Sequence, residues 1–237
     1  DGVLGVLAGL EIVRTLNDLN IQTKHPIMIV NWTNEEGSRF PPAMMASAGY
    51  AGIYDVKTLL SAEDAEGNIF GEELEKIGWK GSEPVGEQKI HSYYELHIEQ
   101  GPILETEEID IGVVTHGQGL KWLEVELSGT EQHTGTTPMH VRKDTSLAMS
   151  EIILAVNNIA YKNQPNALGS VGHIEVSPNS RNVIAGHSIF TIDFRSPDIT
   201  KLDKMENELK LLAIDICEKY KVNFNMKQIG GFNPVTF

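Results

Sequence analysis

The sequence predicts an α/β protein of two domains, the second with the β-α-β-β-α-β order of a ferredoxin-like split βαβ unit. The 237 residues, 41% of them hydrophobic and 22% charged, are enough for two ordinary globular domains. The pattern of apolar residues changes near Gly112, and the β-α-β-β-α-β order begins at Leu120. We expect an α/β domain over residues 1–113, a ferredoxin-like domain over 114–228, and a return to the first domain at 229–237.

In the first domain, helical and strand-like segments alternate. Residues 3–20 have apolar side chains at helical spacing, which predicts a helix. The apolar run 27–30 predicts a buried strand, and 93–98 predicts another. Short helices are expected at 42–49 and within 55–80, with polar loops between them.

The second domain contains six periodic segments. An alternating strand is followed by an amphipathic helix, two strand candidates, a second amphipathic helix and a last strand. These segments are 122–127, 147–159, 170–176, 188–194, a helix that Thr200 can cap with apolar residues at 202, 205, 209, 212 and 216, and 222–226. Gly230 and Gly231 then predict a hinge.

Charge and composition exclude several classes of protein. The formal charge of −14 and a pI near 4.9 argue against a nucleic-acid binder or a partner of an anionic membrane. No apolar run approaches the ~18 residues of a membrane span, and without a visible signal peptide we expect a cytoplasmic location. The single cysteine, Cys217, excludes a disulfide framework and is expected to be a buried structural thiol.

Glu35 and Glu36 follow the first strand candidate directly. Adjacent acids are common on solvated surfaces, but ligands in α/β sheets collect where strands end. Two such acids can divide their roles, because one can bind a metal ion while the other takes a proton from the metal's water.

His97 follows the second strand candidate and has carboxylates on both sides. Imidazole with carboxylates suits zinc, manganese, cobalt or nickel better than calcium. Asp1 precedes a helix and by itself is typical of a cap. Together, Asp1, Glu36 and His97 are too few to hold two metal ions.

Three polar residues of the second domain are further candidates. His133 lies in a turn rich in hydroxyls and glycine, which can be a simple turn or can aim an imidazole at a developing oxyanion. Asn182 and Arg195 stand at the start and end of one strand region. Arg195 can pair internally with a nearby aspartate or can bind a substrate carboxylate.

Five motifs in order resemble the amidase/hydantoinase/carbamoylase family, whose members include N-carbamoyl-L-amino acid hydrolases and allantoate amidohydrolases. This family is related to the two-metal exopeptidases. The motifs are DGVLGV at 1–6, NEEGSRF at 34–40, ELHIEQGP at 95–102, the segment 129–139, and NVI at 182–184 with DFR at 193–195.

The resemblance implies an exopeptidase-like α/β metal-binding domain with an inserted ferredoxin-like lid or dimerisation domain. It implies two divalent metal ions per subunit, with Asp1 bridging them, Glu36 binding one and His97 the other. Glu35 would be the general base in hydrolysis of a carbamoyl or ureido C–N bond.

The resemblance also assigns the remaining candidates. His133, in such enzymes commonly presented by the partner of a homodimer, would stabilise the tetrahedral intermediate. Asn182 and Arg195 would hold the carboxylate of a small-molecule substrate, and Gln100 would contact the substrate too.

Two departures leave alternatives open. The family pattern also has a His shortly before the Asp-Gly pair and a last His near the C-terminus, and neither is present, so we expect a chain truncated at both ends with little activity of its own. His133 and Arg195 also fit a two-metal peptidase or aminoacylase, which is the second alternative. A third alternative is a fragment that acts only as a dimerisation module.

Overall fold

The chain divides into two compact units, Asp1–Asp110 and Ile111–Phe237. The computed structural model describes residues 2–237, so Asp1 lies outside the described residues.

The first unit is built from helices and turns. The predicted long helix is confirmed, as are the short helices expected after residue 42, whereas the helix after residue 102 was not predicted. The helices are α1 Gly2–Asp18, α2 Met45–Tyr50, α3 Val56–Leu60, α4 Phe70–Lys76 and α5 Ile103–Thr106.

The two strands predicted in the first unit are wrong. Neither 27–30 nor 93–98 pairs with another strand, and within residues 2–110 the only β-type pairing is an isolated bridge between Glu63 and Ile69. A strand requires a hydrogen-bonded neighbour, and apolar composition alone does not supply one. Instead, both segments lie against α1, where a Cβ on Gly9 would be 3.0 Å from Ile29 Cγ2.

A small apolar core holds α2, α3 and α4 together. Phe40 and Phe70 meet edge to face with ring centroids 5.2 Å apart. Met45 and Leu59 complete the buried cluster. The first residue of this core, Phe40, follows Glu35 by five positions in the sequence.

Asp64 is the polar centre of the same region. Its carboxylate accepts hydrogen bonds from the backbone and side chain of Asn68 at 2.8–3.1 Å, from Glu66 N at 2.9 Å and from Arg39 Nε at 2.9 Å. These donors, the Asn68 side chain foremost, hold the pKa of Asp64 well below its usual range. Arg39 also pairs with Glu73 at 3.0 Å, so the residues after Glu35 are tied to α4.

Asp64→Asn is expected to reduce the acid sensitivity of the first unit. Because the pKa of Asp64 is lower in the folded than in the unfolded chain, its stabilisation is complete above about pH 4 and is lost as pH falls further. The difference in free energy of unfolding between variant and parent should therefore be largest at pH 7 and should narrow steadily as pH falls below about 4. Asp18→Asn, at an exposed helix end, is the control. An equal difference for Asp64→Asn at pH 7 and below about pH 4 would contradict this assignment.

The second unit contains the β-α-β-β-α-β order that the sequence predicts. Its main sheet has the strand order β4-β6-β2-β7, with every neighbouring pair antiparallel, and two short pairings, β1-β8 and β3-β5, flank it. The elements are β1 His116–Gly117, β2 Gly119–Ser128, β3 Gln132–His133, α6 Thr145–Lys162, β4 Leu168–Ser177, β5 Val183–Ile184, β6 His187–Ser196, α7 Ile199–Tyr220, β7 Asn223–Phe232 and β8 Val235–Thr236.

The core of this unit lies between one face of the sheet and the two helices. In β2, alternate residues such as Leu123 and Val125 are fully buried, as the period-2 pattern predicts. Phe190 and Phe194 fill the centre from β6. No helix within residues 2–237 is both long and apolar enough to cross a bilayer.

The buried face of α7 follows helical spacing with one change from the prediction. Leu202 and Leu209 are fully buried as expected, but Leu212 is 38% exposed, and the stripe continues through Ala213 to Cys217. Cys217 is buried as predicted, and burial raises the pKa of its thiol to about 11.

Gly230 and Gly231 form a strand irregularity and not the predicted hinge. They lie inside β7, where the register with β2 shifts at Trp122. Gly231 has φ 153°, and a Cβ there would be 2.6 Å from Leu120 O, so glycine permits the close approach of the two strands.

Candidate active site

A tightly closed turn presents Glu35 and Glu36, and both carboxylates are exposed. Asn34 has φ 54°, and its side-chain amide donates to Phe40 O at 2.6 Å, which closes the turn from inside. Gly37 has φ 67°, and a Cβ there would be 2.6 Å from a backbone nitrogen. The sequence folds this way because short-chain Asn and Gly tolerate positive φ.

A hydrogen-bond chain joins the segment before Glu35 to the segment before His97. Trp32 Nε1 donates to Tyr93 Oη at 3.2 Å, and Tyr93 Oη donates to Glu95 at 2.7 Å. Partial burial, and then the bond to Glu95, raise the pKa of the Tyr93 hydroxyl. The two stretches that carry the predicted metal ligands and base are therefore neighbours.

His97 is held in the tautomer that suits a metal ligand. Its Nδ1 lies 2.7 Å from Ile98 O, and a carbonyl can only accept, so Nδ1 carries the proton. The lone pair is then on Nε2, and metal-binding histidines are commonly oriented through such a backbone carbonyl.

The described residues do not by themselves form a complete metal centre. Within residues 2–237, no three His, Cys, Asp or Glu side chains are grouped so that they could hold an ion. Glu36 and His97 have suitable donor atoms, but the third predicted ligand, Asp1, lies outside the described residues. The assignment of Asp1, Glu36 and His97 as metal ligands therefore stays a prediction.

The residues after His97 have local roles. Glu99 accepts from Ile103 N at 3.1 Å and Leu104 N at 3.0 Å, so it caps α5 and its carboxylate is committed there. Gln100 has φ 54°, a conformation uncommon for a residue with a Cβ. Its predicted contact with substrate remains a prediction.

His133 is held in the opposite tautomer to His97. It pairs with Val183 in the short β3-β5 ladder, and Gly135 N donates to its Nδ1 at 3.1 Å. Because Nδ1 accepts, the neutral ring carries its proton on Nε2, and the exposed side chain can donate from that atom. This is the donor that a developing oxyanion needs.

Asn182 lies beside this histidine. Its backbone carbonyl accepts from Thr134 N at 3.0 Å, and its side-chain oxygen accepts from Ser180 Oγ at 3.1 Å. The structure therefore brings His133 and Asn182 together. Arg142, which no sequence motif indicated, donates to the turn that follows His133.

Arg195 is paired internally and also lines a cavity. Its Nε and Nη2 bind the Asp193 carboxylate at 2.8–3.1 Å, and this raises the pKa of the guanidinium. The cavity, about 460 Å³, is lined by both residues and by Gln118 and Ser170. Since Asp193 takes only the Nε/Nη2 edge of the fork, the other edge is left for a second carboxylate.

His133 and Arg195 occupy opposite ends of the main sheet. The β3-β5 ladder joins the sheet where Ser128 pairs with His187, whereas Arg195 pairs with Leu120 at the far end of β2. From residue 188 to 195, β6 extends about 23 Å at about 3.3 Å per residue. Most of the length of β6 therefore lies between the positions of the two side chains in one chain.

The model of the peptidase family M20/M25/M40 matches residues 1–236. The chain belongs to this family. The sequence-based resemblance to the carbamoylase branch is confirmed by relatives of this M20 chain. This chain is 55% identical over 237 residues to N-carbamoyl-L-amino-acid amidohydrolase of Rhizobium meliloti, and the match covers 100% of this chain and 57% of that relative.

Two further relatives agree with this placement. The M20 chain is 34% identical over 239 residues to N-carbamoyl-L-amino acid amidohydrolase of Geobacillus stearothermophilus, covering 99% of this chain and 58% of that protein. It matches the crystal structure of an amidase of the hydantoinase/carbamoylase family from Burkholderia multivorans with a TM-score of 0.95 and 47% identity, covering 100% of this chain and 58% of that one. The M20 chain thus spans less than two thirds of these relatives.

Proposed function

We propose that the protein carrying this chain is a metal-dependent amidohydrolase that cleaves the ureido C–N bond of N-carbamoyl-L-amino acids or allantoate-like ureido acids. The observation that supports it most is the 55% identity over the whole chain to a relative named for this activity. The products from an N-carbamoyl amino acid would be the amino acid, ammonia and carbon dioxide.

The proposed centre holds two divalent ions, such as zinc, manganese, cobalt or nickel. Asp1, Glu36 and His97 are the ligands in this chain, and the Nε2 lone pair of His97 supports its role. When bound, such ions lower the pKa of a water and polarise a carbonyl. Glu35 takes the proton of the attacking water and returns it to the leaving nitrogen.

The second unit supplies the substrate contacts and the oxyanion donor. His133 donates from Nε2 to the oxygen that becomes negative as the carbonyl carbon turns tetrahedral, a role that its tautomer supports. Arg195 binds the substrate carboxylate, Asn182 does so from the partner chain because it lies beside His133, and Gln100 makes a further contact. Arg195 can do so through the edge of its guanidinium that Asp193 leaves open.

We further propose a homodimer in which each active site uses both chains. The separation of His133 from Arg195 along the sheet supports this, because a small substrate can reach both only if they come from different chains. In this arrangement, residues 1–113 form part of the metal-binding domain, 114–228 form a ferredoxin-like lid and dimerisation domain, and 229–237 begin the return to the first. A cytoplasmic location remains a prediction.

Substrate profiling tests the function directly. The complete protein, loaded in turn with each metal, is expected to release ammonia from N-carbamoyl-L-amino acids, allantoate or 3-ureidopropionate. Turnover of dipeptides or N-acetyl amino acids in their place would favour the peptidase or aminoacylase alternative. Release of no ammonia from any ureido substrate would refute the proposal.

Mixing two impaired variants, assayed at a substrate concentration well below the KM of the Arg195→Ala variant, tests the shared site. Arg195→Ala is expected to weaken substrate binding in its own chain, and His133→Ala to lower kcat by 10²- to 10³-fold in the partner's site. After unfolding and refolding together, heterodimers have one intact site, so about a quarter of the parent activity should return, given the usual two-fold symmetry of a dimer. No recovery, with heterodimers shown by mass, would contradict catalysis across the dimer.

A further inference from the structure

Arg142 fastens the turn that carries His133. Its Nη2 donates to Thr134 O at 2.7 Å and to Thr137 O at 3.0 Å, and its Nε donates to Thr137 O at 3.1 Å. The guanidinium fork thus spans both ends of the four-residue turn that follows His133.

Arg142 itself stands on a rigid base. The next residue, Lys143, accepts from Thr130 N at 3.1 Å through its carbonyl. Thr145, fully buried, bonds Ala185 O at 3.1 Å and Ser188 Oγ at 2.8 Å. The backbone that follows the arginine is therefore fixed to the sheet, and the arginine transmits that position to an exposed turn.

The four-residue turn fixes the imidazole of His133. Thr137 N donates to His133 O at 3.1 Å, and Gly135 N donates to His133 Nδ1 at 3.1 Å. The direction of the Gly135 N–H therefore depends on the carbonyls of Thr134 and Thr137, which Arg142 holds in place. Among residues 2–237, none of the ion pairs involves Arg142, so its donors serve backbone carbonyls and not a carboxylate.

We propose that Arg142 is a positioning residue that fixes the direction and tautomer of His133 for the reaction. This inference rests on the proposed function, because it assigns Arg142 to the same oxyanion donor. In this role, Arg142 acts through the turn that holds His133. A cavity of about 240 Å³ lined by Arg142, Thr134 and Asp144 opens beside it, so a small cation can reach the place of a removed side chain.

Kinetics in the complete protein give the first test. Arg142→Ala is expected to lower kcat on the order of 100-fold with KM within about threefold, because a misplaced group costs about that much. Guanidinium ion at millimolar concentration should restore part of kcat, and it should not do so for His133→Ala. Lys143→Ala removes a neighbouring positive charge from an exposed side chain and should leave kcat unchanged.

A second readout needs no turnover. In the parent protein, nitrogen-15 spectra of the imidazole of His133 should show Nδ1 as an acceptor and Nε2 protonated. Arg142→Ala should shift the tautomer populations, and guanidinium should shift them back. An unchanged spectrum in Arg142→Ala, or an unchanged kcat, would overturn the proposal.

Mixed dimers then assign Arg142 to a chain. Arg142→Ala should restore activity when mixed with Arg195→Ala, and should fail to do so with His133→Ala, because Arg142 and His133 serve the same site from the same chain. Recovery with His133→Ala, or with neither variant while Arg195→Ala and His133→Ala do complement each other, would overturn the positioning role. Failure of the proposed function would show separately, as a parent protein that releases no ammonia from ureido substrates.

Discussion

Replacing Glu35 by glutamine is expected to abolish turnover in the complete protein while leaving its metal content nearly unchanged. Glutamine keeps the size of the side chain but cannot take a proton from water, and a general base contributes about 10²- to 10⁴-fold to a rate. The turn around Glu35 should survive, because its closure depends on Asn34 and Gly37 and on backbone hydrogen bonds. The measurements are kcat for ammonia release and metal content by mass spectrometry.

Glu36→Gln is the matched comparison, one residue along the same exposed turn. It removes a proposed ligand, so metal content and activity should fall together. Loss of metal from Glu35→Gln with retention in Glu36→Gln would show that the roles of the two carboxylates are reversed.

Phe190→Ala is expected to destabilise the second unit by about 3–5 kcal/mol. Phe190 is fully buried at the centre of the sheet, where it pairs with Val125 on one side and Ile174 on the other. Removing the ring leaves a cavity that the paired strands cannot close. Urea unfolding followed by amide exchange in β2 and β6 measures the free energy for this unit alone.

Leu154→Ala, on the exposed side of α6, is the control for that measurement. Its effect should stay within about 0.5 kcal/mol. A cost below about 1 kcal/mol for Phe190→Ala would contradict the central place of this side chain in the core.

The second unit could be predicted from the sequence because its strands and helices pack against one another within the same stretch of chain. Alternation in β2 and helical spacing in α7 both face one core that the same residues complete. The runs at 27–30 and 93–98 look equally like strands, yet they have no strand beside them among residues 2–110. Pairing is a non-local property, and a run of apolar residues cannot state whether a neighbour exists.

The candidate site was predictable in its residue types and not in its proton positions. Sequence motifs identified His97 and His133, but only geometry shows that one is protonated on Nδ1 and the other accepts there. Arg142 was missed because its partners are backbone carbonyls, which any residue has. The distance between His133 and Arg195 was also out of reach, since it depends on strand register.

Cys217 has a practical consequence for studies of this molecule. The residue is 3% exposed in the core that also contains Leu209 and Ala213, and the raised pKa of its thiol leaves almost no thiolate near neutral pH. An alkylating reagent can therefore reach this sulfur only when α7 separates from the sheet. Since this chain has one cysteine, the rate at which an alkylating reagent adds mass to it measures the rate at which the second unit opens.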